Sequence, residues 1–563
     1  MLDRLFAELR RLVWRRKSSQ KTIADAARIR NDWIAAAALY RNYLVKMPND
    51  AAAHNDIGTV YCELGQFDAA KASFEKALAC EPKLISAHLN LGHLALQQRR
   101  AYGEAVSHYL AVLENDPGQT DARRQISLAY YELGELDCAM HYLNPVSNGP
   151  IDSVSAEYCL FMTNAVPDHN HQAHYEAHLR WAIPFDARMG EMASSCQSKS
   201  RKSGGRIRVG YVSADFREHA VIRFLLPVLE KHLRQDFEIF CYANQIESDQ
   251  VTLEVRQMSV VWRNVYALGD EQVAEMIVQD QIDILVDLSG HTRGNRLGLF
   301  ALKAARVQVT WLGYLNTTGL KAMDCRITDS LMDPPNVSDR LHKEKLIRLD
   351  PASWCYRAPK DVPSVMAAPC ESNGYVTFGS FNHVAKLNEN VLECWSRILA
   401  QCPNSRLKLI GVPADGLTVQ HLVKPFLRRG IAAERLHIVG RLPRKEFLFE
   451  MVNTDIALDP FPYCGGATTC ESLWMGLPVI ALAGYFGFSR SSSAIIAQAG
   501  QDEHIAASEH EYVQKAVDLA ENGVTPLRKS MRDRMQSSEL MNENGFVLRL
   551  ESAYRKLVEK GHQ

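Results

Sequence analysis

The feature that most restricts this chain is an internal repeat in its first third. Residues 51–84 carry His54, Ile57, Gly58, Tyr61, Ala70, Phe74, Ala77 and Pro82. From Ile85 the same order of residue types returns as His88, Leu91, Gly92, Ala95, Ala105, Tyr109 and Pro117. The second copy holds one extra residue near Arg99–Tyr102. A third copy begins near Thr120 with Ile126, Tyr130, Ala139 and Leu143, and a weaker one precedes the first with Trp33, Ala36, Tyr40 and Pro48. A period of about 34 residues with these types predicts stacked antiparallel helix pairs. Small Gly and Ala let paired helices approach, aromatic side chains fill the space between pairs, and Pro stops the second helix. One pair cannot bury its apolar face alone, so the copies stack into a solenoid with an extended concave surface.

This is the tetratricopeptide-repeat (TPR) pattern, assigned to residues 1–150. It predicts an arm that holds another protein, with self-association as the alternative use. At 563 residues the chain is too long for one core, so further domains follow. A net charge of -1 excludes nucleic-acid binding by bulk electrostatics. The 13 Cys are scattered without a CxxC pair, which fits neither zinc-site spacing nor a disulfide framework and points to a reducing cytoplasm. No apolar run reaches the length of a membrane span. Met1–Lys17 alternates Leu, Phe and Val with Arg at helical spacing, without the continuous apolar stretch of a signal peptide. It is read as a helix packing on the first repeat.

Glu157–Met189 has a helical pattern, with Phe161, Met162, His174, Leu179 and Trp181 as candidate packing residues, and the polar Ser194–Gly205 marks a boundary. Residues 151–204 are therefore assigned as a helical connector. Beyond it, short apolar runs alternate with amphipathic stretches. The runs are Ile207–Ser213, Phe237–Ala243, Ile282–Leu288, Val307–Leu312 and Cys325–Thr328, with a helix over Ile222–His232. After the irregular Pro351–Ser372 they resume at Tyr375–Ser380, Arg406–Ile410, Leu436–Val439, Ile456–Leu458 and Pro478–Leu482. This alternation predicts parallel sheets covered by helices. The fold class expected is α + α/β: a TPR α-solenoid, then two Rossmann-like lobes over residues 205–370 and 371–563. Such lobes bind ligands at the C-terminal ends of their strands.

Four clusters follow predicted strands. Asp215–His219 places a His at a strand–helix junction, where it could serve as base or phosphate ligand. Asp287–Thr292 contains Gly290, suited to a tight turn, and His291; a helix cap is the plainer reading. Phe378–Lys386 brings Asn382, His383 and a cationic Lys386 to a strand end, where positive charge can offset a departing nucleoside diphosphate. Pro462–Gly476 has Gly465 and Gly466 opening a helix through Ala467, Thr468 and Thr469, whose free N–H groups suit a diphosphate, with Glu471 one turn on for a ribose diol. The turn is neither a Walker loop nor GxGxxG, which argues against kinase and dehydrogenase chemistry. The chain has no Asp-x-Asp triplet, which weighs against metal-dependent transfer.

With the TPRs, the DFREH, DLSGHT, WLGYLNTTG, FGSFN–Lys386 and GGATTCESLWMG segments resemble the O-GlcNAc transferase and SPINDLY group of glycosyltransferases. The resemblance covers essentially the whole chain. It implies a GT-B fold, inversion at the anomeric carbon, no metal or other cofactor, and a C-terminal helix, Phe546–Glu559, crossing back onto the first lobe. It also implies His219 as the active-site His, Lys386 as the diphosphate-binding Lys, Thr468 and Thr469 in the phosphate turn, and Glu471 at the ribose. His291 is placed with the catalytic groups, and His383 stands where the group often has Gln or Asn. Two positions depart from the pattern. Phe447 replaces a base-contacting His and can stack but not hydrogen-bond. Ala467 lacks a side-chain donor in the phosphate turn. The function implied is transfer of one sugar to Ser/Thr of an acceptor protein, with UDP-GlcNAc the first choice as in short-armed bacterial members. SPINDLY-like transfer from GDP-fucose and a catalytically decayed scaffold are the alternatives.

Overall fold

The computed structural model describes residues 20–143, 153–167, 170–196, 205–246, 248–258 and 260–560. The Met1–Lys17 segment and residues 197–204 of the polar boundary lie outside them. The chain divides into two compact units, Met1–Asp152 and Ser153–Gln563.

The first unit is a series of helix pairs. Trp33–Lys46 precedes Ala51–Glu63 and Phe67–Cys80, then Ile85–His93 with Tyr102–Asn115 and Thr120–Leu133 with Leu136–Leu143. The repeated residues act as their types suggest. Phe74 and Tyr109 are fully buried, and a Cβ added at Gly92 would lie 2.6 Å from the Tyr109 ring. The repeated His clamps the interrepeat turn that precedes it. The Nε2 atoms of His54 and His88 meet the carbonyls of Pro48 and Pro82 at 2.8 and 3.0 Å. The extra residue of the second copy is absorbed as a π turn over Leu94–Arg99, closed by Arg100 in the left-handed region (φ 51°). Replacing Gly92 with Ala should cost about 1–3 kcal/mol through overpacking against Tyr109, seen as an earlier urea-induced loss of helical circular dichroism.

The second unit holds two all-parallel sheets. The first contains β1 Ile207–Ser213, β2 Phe237–Ala243, β3 Val261–Asn264, β4 Ile284–Asp287, β5 Val307–Thr310, β6 Cys325–Thr328 and β7 Lys345–Arg348, in the order β3-β2-β1-β4-β5-β6-β7. The second contains β8 Thr377–Ser380, β9 Arg406–Ile410, β10 Leu436–Val439, β11 Ile456–Leu458, β12 Val479–Leu482 and β13 Ile505–Ala506, in the order β10-β9-β8-β11-β12-β13. This is the two-lobed GT-B architecture. Central strands such as β4 and β5 are buried along their whole length, as strands covered on both faces must be. In each sheet the strand order reverses once, between β1 and β4 and between β8 and β11. Ligand crevices open at such reversals.

The connector helices Ser153–Thr163 and His171–Cys196 belong to the second unit. The reason is packing: Leu160, Trp181 and Ala182 share a core with Val212, Tyr242 and Leu285 of the first sheet. The C-terminal helix Glu543–Lys560 crosses onto the first lobe. Its buried Glu551 meets His232 Nδ1 at 3.0 Å and accepts the Leu233 N–H at 2.9 Å, and Phe546 stacks on Trp311.

Candidate active site

The reversal in the second sheet places two loops side by side. One follows β8 and carries Asn382, His383 and Lys386; the other follows β11 and runs from Asp459 to the helix Ala467–Trp474. Asp459 links them. Its buried carboxylate accepts the Gly465 N–H at 3.0 and 3.1 Å and the Asn382 side-chain amide at 3.2 Å. Asn382 in turn accepts the Thr468 hydroxyl at 3.2 Å. The Gly465 carbonyl is held from its other side by Ser491 and Ser492 at 2.8 and 2.9 Å. A Cβ at position 465 would sit 2.6 Å from Asp459 Oδ1, so only glycine fits this grip. Burial raises the Asp459 pKa to about 6, against the pull of its hydrogen bonds and of Lys386.

Lys386 ends a short turn, Val384–Lys386, which His383 Nδ1 caps by accepting the Ala385 N–H at 3.2 Å. Its ammonium donates to the Cys464 carbonyl at 2.8 Å and lies 4.0 Å from the centre of the Tyr463 ring. Desolvation lowers its pKa, with Asp459 opposing. Gly466 caps the helix Ala467–Trp474 without any side-chain hydrogen bond, so the positive end of the helix dipole and its first N–H groups have no side-chain cap. Beside Lys386, that end forms a positive cradle of the kind that binds phosphate. Trp354 of the first lobe packs against Gly466.

Other expected donor residues have partners of their own. The Thr469 hydroxyl is buried against Ser492 Oγ at 2.9 Å and faces inward. Glu471 is buried and gripped by Arg444, whose Nη1 reaches Oε2 at 2.9 Å and whose Nη2 meets Oε1. Phe447, one turn beyond Arg444, is half-buried and meets Phe381 edge-on at 5.7 Å.

In the first sheet the loops after β1 and β4 flank the reversal. His219 is 41% accessible. Its Nδ1 accepts the Val221 N–H at 3.4 Å and lies 3.6 Å from Asp215 Oδ2. Desolvation in this recess lowers the imidazole pKa, while the Asp215 carboxylate pulls it up. His291 is different. Expected among the catalytic groups, it is instead 2% exposed, packed against Trp181, His178 and Tyr314, with Nε2 2.9 Å from the Thr318 carbonyl. Burial drops its pKa to about 4. It is a neutral interior histidine with no open face for proton transfer. Asp287, buried beneath the same turn, accepts the Ser289 and Gly290 N–H groups and the Thr310 hydroxyl.

The model of the glycosyl transferase family 41 matches residues 188–354 and 369–550. The chain belongs to that family. A tetratricopeptide-repeat model also matches residues 51–84. Among curated relatives the chain is 37% identical over 398 residues to an Arabidopsis thaliana protein described as a probable UDP-N-acetylglucosamine–peptide N-acetylglucosaminyltransferase SPINDLY. That match covers 69% of this chain and 43% of the relative. A Caenorhabditis elegans UDP-N-acetylglucosamine–peptide N-acetylglucosaminyltransferase matches at 24% over 440 residues, covering 57% and 38%. The chain thus spans about two-fifths of the length of these relatives. Among solved structures, a mutant of the Thermobaculum terrenum O-GlcNAc transferase superposes with a TM-score of 0.81 at 30% identity, covering 91% of this chain and 98% of that one.

For this family 41 chain, sequence reasoning missed Asp459, and it named Tyr463, within the Pro462–Gly476 cluster, and Arg444 without giving their side chains a role. Asp459 directly follows β11 in a Leu-Asp-Pro context, and an acidic residue at the end of a central strand was the available signal. Among the described residues, no group of three or more His, Cys, Asp or Glu could hold a metal ion, and no helix is long and apolar enough to cross a membrane. Replacing Asp459 with Ala would orphan the Gly465 and Asn382 donors at about 1–3 kcal/mol each. Calorimetry should show a lower unfolding temperature, with Asp459→Asn, which keeps a carbonyl acceptor, recovering part of the loss.

Proposed function

We propose that the chain is a protein O-glycosyltransferase that moves one GlcNAc from UDP-GlcNAc to Ser/Thr of an acceptor protein held by the TPR arm. The observation that carries this reading is the cradle made by Lys386 and the uncapped helix at Ala467, with His219 in the loop at the corresponding reversal of the first sheet. The acceptor oxygen attacks the anomeric carbon from the side opposite the diphosphate, the bond from that carbon to the phosphate oxygen breaks, and UDP leaves with the electron pair. Lys386 and the helix N–H groups offset the charge that develops on the leaving oxygens, so the reading needs no metal. Neutral His219 takes the acceptor proton at Nε2 in the tautomer that gives up the long Val221 N–H contact and carries its own hydrogen on Nδ1, facing the Asp215 carboxylate. Phe447 offers a face for the base, and Glu471 reaches the ribose by exchanging its Arg444 contact for the diol. His291 acts indirectly, holding the Thr318 carbonyl beside the Gly290 turn. Action in the cytoplasm is part of the proposal, supported by the free thiols among the described residues.

The likeness of the WLGYLNTTG and FGSFN segments to SPINDLY relatives supports a second donor, GDP-fucose. Purified protein incubated with UDP-GlcNAc or GDP-fucose and host lysate, read by intact-mass spectrometry, separates the two by the mass added. Release of no nucleotide from either donor would favour a decayed scaffold. Lys386→Ala should lower kcat by about 10²–10³, and full activity in that variant would overturn the cradle's role. The neutral form of His219 is the active one. The rate should therefore rise as pH climbs through a pKa below the ordinary value of about 6.5, then level off. Asp215→Asn removes the charge that pulls that pKa up, so the acid limb of the pH–rate profile should move to lower pH.

A further inference from the structure

The edge strand β7 and the C-terminal helix Glu543–Lys560 border a groove of 480 Å³ that the transfer site does not use. Its floor is apolar, with Ile347, Leu349, Leu548 and Leu557 along it, and Leu548 is 57% exposed. Its rim is basic. Lys345 and Lys556 are exposed and have no carboxylate partner among the described residues. The other rim charges are occupied: Arg348 pairs with Asp339 at 2.9 Å, and Asp350 accepts the N–H and hydroxyl of Ser330 at 2.8 Å each. Arg549 donates from one nitrogen to Glu539 at 2.9 Å, but its Nε and Nη2 are buried without an acceptor.

The strand beside the groove is open as well. β7 pairs only with β6, and the N–H groups of Lys345 and Leu349 donate to the Asp324 and Thr328 carbonyls at 3.0 and 2.8 Å. Alternate N–H groups of a parallel strand point to the same side. Those of Leu346 and Arg348 therefore point to the unpaired edge, where an extended segment can add as a further strand.

We propose that this groove docks an extended acidic segment of a partner protein, laid along β7. Lys345 lies on the same strand face as Ile347 and Leu349, so the segment's floor-facing side chains, every second residue, are apolar over Leu548 and Leu557 and acidic where they face Lys345 and Lys556. A basic segment meets the same groove with like charges. This docking is separate from the TPR arm and independent of the donor chemistry.

The test uses the full chain and two labelled decapeptides, followed by fluorescence anisotropy; in both, every second residue faces the floor, reading Asp-Val-Val-Val-Asp in one and Lys-Val-Val-Val-Lys in the other, with Thr between. The Asp peptide should bind and the Lys peptide should not. Lys345→Glu combined with Lys556→Glu should weaken binding about tenfold or more, while UDP binding, a control for folding, stays unchanged. Hydrogen exchange at the Leu346 and Arg348 amides should slow when the Asp peptide is present. Equal binding of both peptides, no binding of the Asp peptide at about 1 mM, unchanged affinity in the double variant, or unaltered exchange at those two amides would each overturn the proposal.

Discussion

The site depends on one buried carboxylate. Asp459 stands where β11 ends, and it fixes the Gly465 turn, the Asn382 amide and, through Asn382, the Thr468 hydroxyl. Without that acceptor, a turn with two consecutive glycines would be free to sample many backbone states. With it, and with Ser491 and Ser492 on the far carbonyl, the helix Ala467–Trp474 starts at a defined place and angle. Electrostatic stabilisation of a leaving group works when the dipoles are already aimed before charge develops. The carboxylate that secures this aim faces inward to its donors, so its own charge is spent on the turn.

The position of Asp459 follows from topology. A parallel sheet whose order reverses sends the loops from two neighbouring strands in opposite directions, and the space between them is the crevice. Both sheets obey this. His219 follows β1 and the Asp287–His291 turn follows β4, while Lys386 follows β8 and Asp459 follows β11. The C-terminal helix, anchored by Glu551 to His232 and Leu233, ties the end of the second lobe's chain to the first. The same crossing leaves β7 with one uncovered side, because one helix lying over that end of the sheet cannot also pair its edge.

Much of this was legible from residue order. The repeat was readable because Gly, Ala and aromatic residues return at fixed spacing, and Gly92 beneath Tyr109 shows the steric reason. The central runs, from Ile207–Ser213 to Pro478–Leu482, could be found because burial on both faces demands continuous apolar residues. Strands β3, β7 and β13 were not foreseen. They read VWRN, KLIR and IA, lie at sheet edges and are short or half polar, so they lack that signature. In the site, residue types identified Lys386 and the Gly465–Gly466 turn, but not which partners occupy them. His291 shows the limit plainly. Its place after a strand suggested chemistry, whereas its burial is decided by Trp181 from a helix more than a hundred residues earlier.

The electrostatics of the cleft also explain how it can be selective for a diphosphate. Lys386 is desolvated, and its ammonium donates to a carbonyl and lies over an aromatic face, both neutral, with the Asp459 carboxylate, held by its own donors, acting on it from nearby. Arg444 is spent on Glu471. The unspent positive potential therefore concentrates at Lys386 and the helix end, which adjacent loops bring together. A neutral sugar alone gains little there, and a single carboxylate fills only part of the cradle. In the proposed reaction a diphosphate would span both sources of charge, so binding energy and leaving-group stabilisation would come from the same two elements. The proposed part of the repeat arm is a different one, the choice of which hydroxyl arrives.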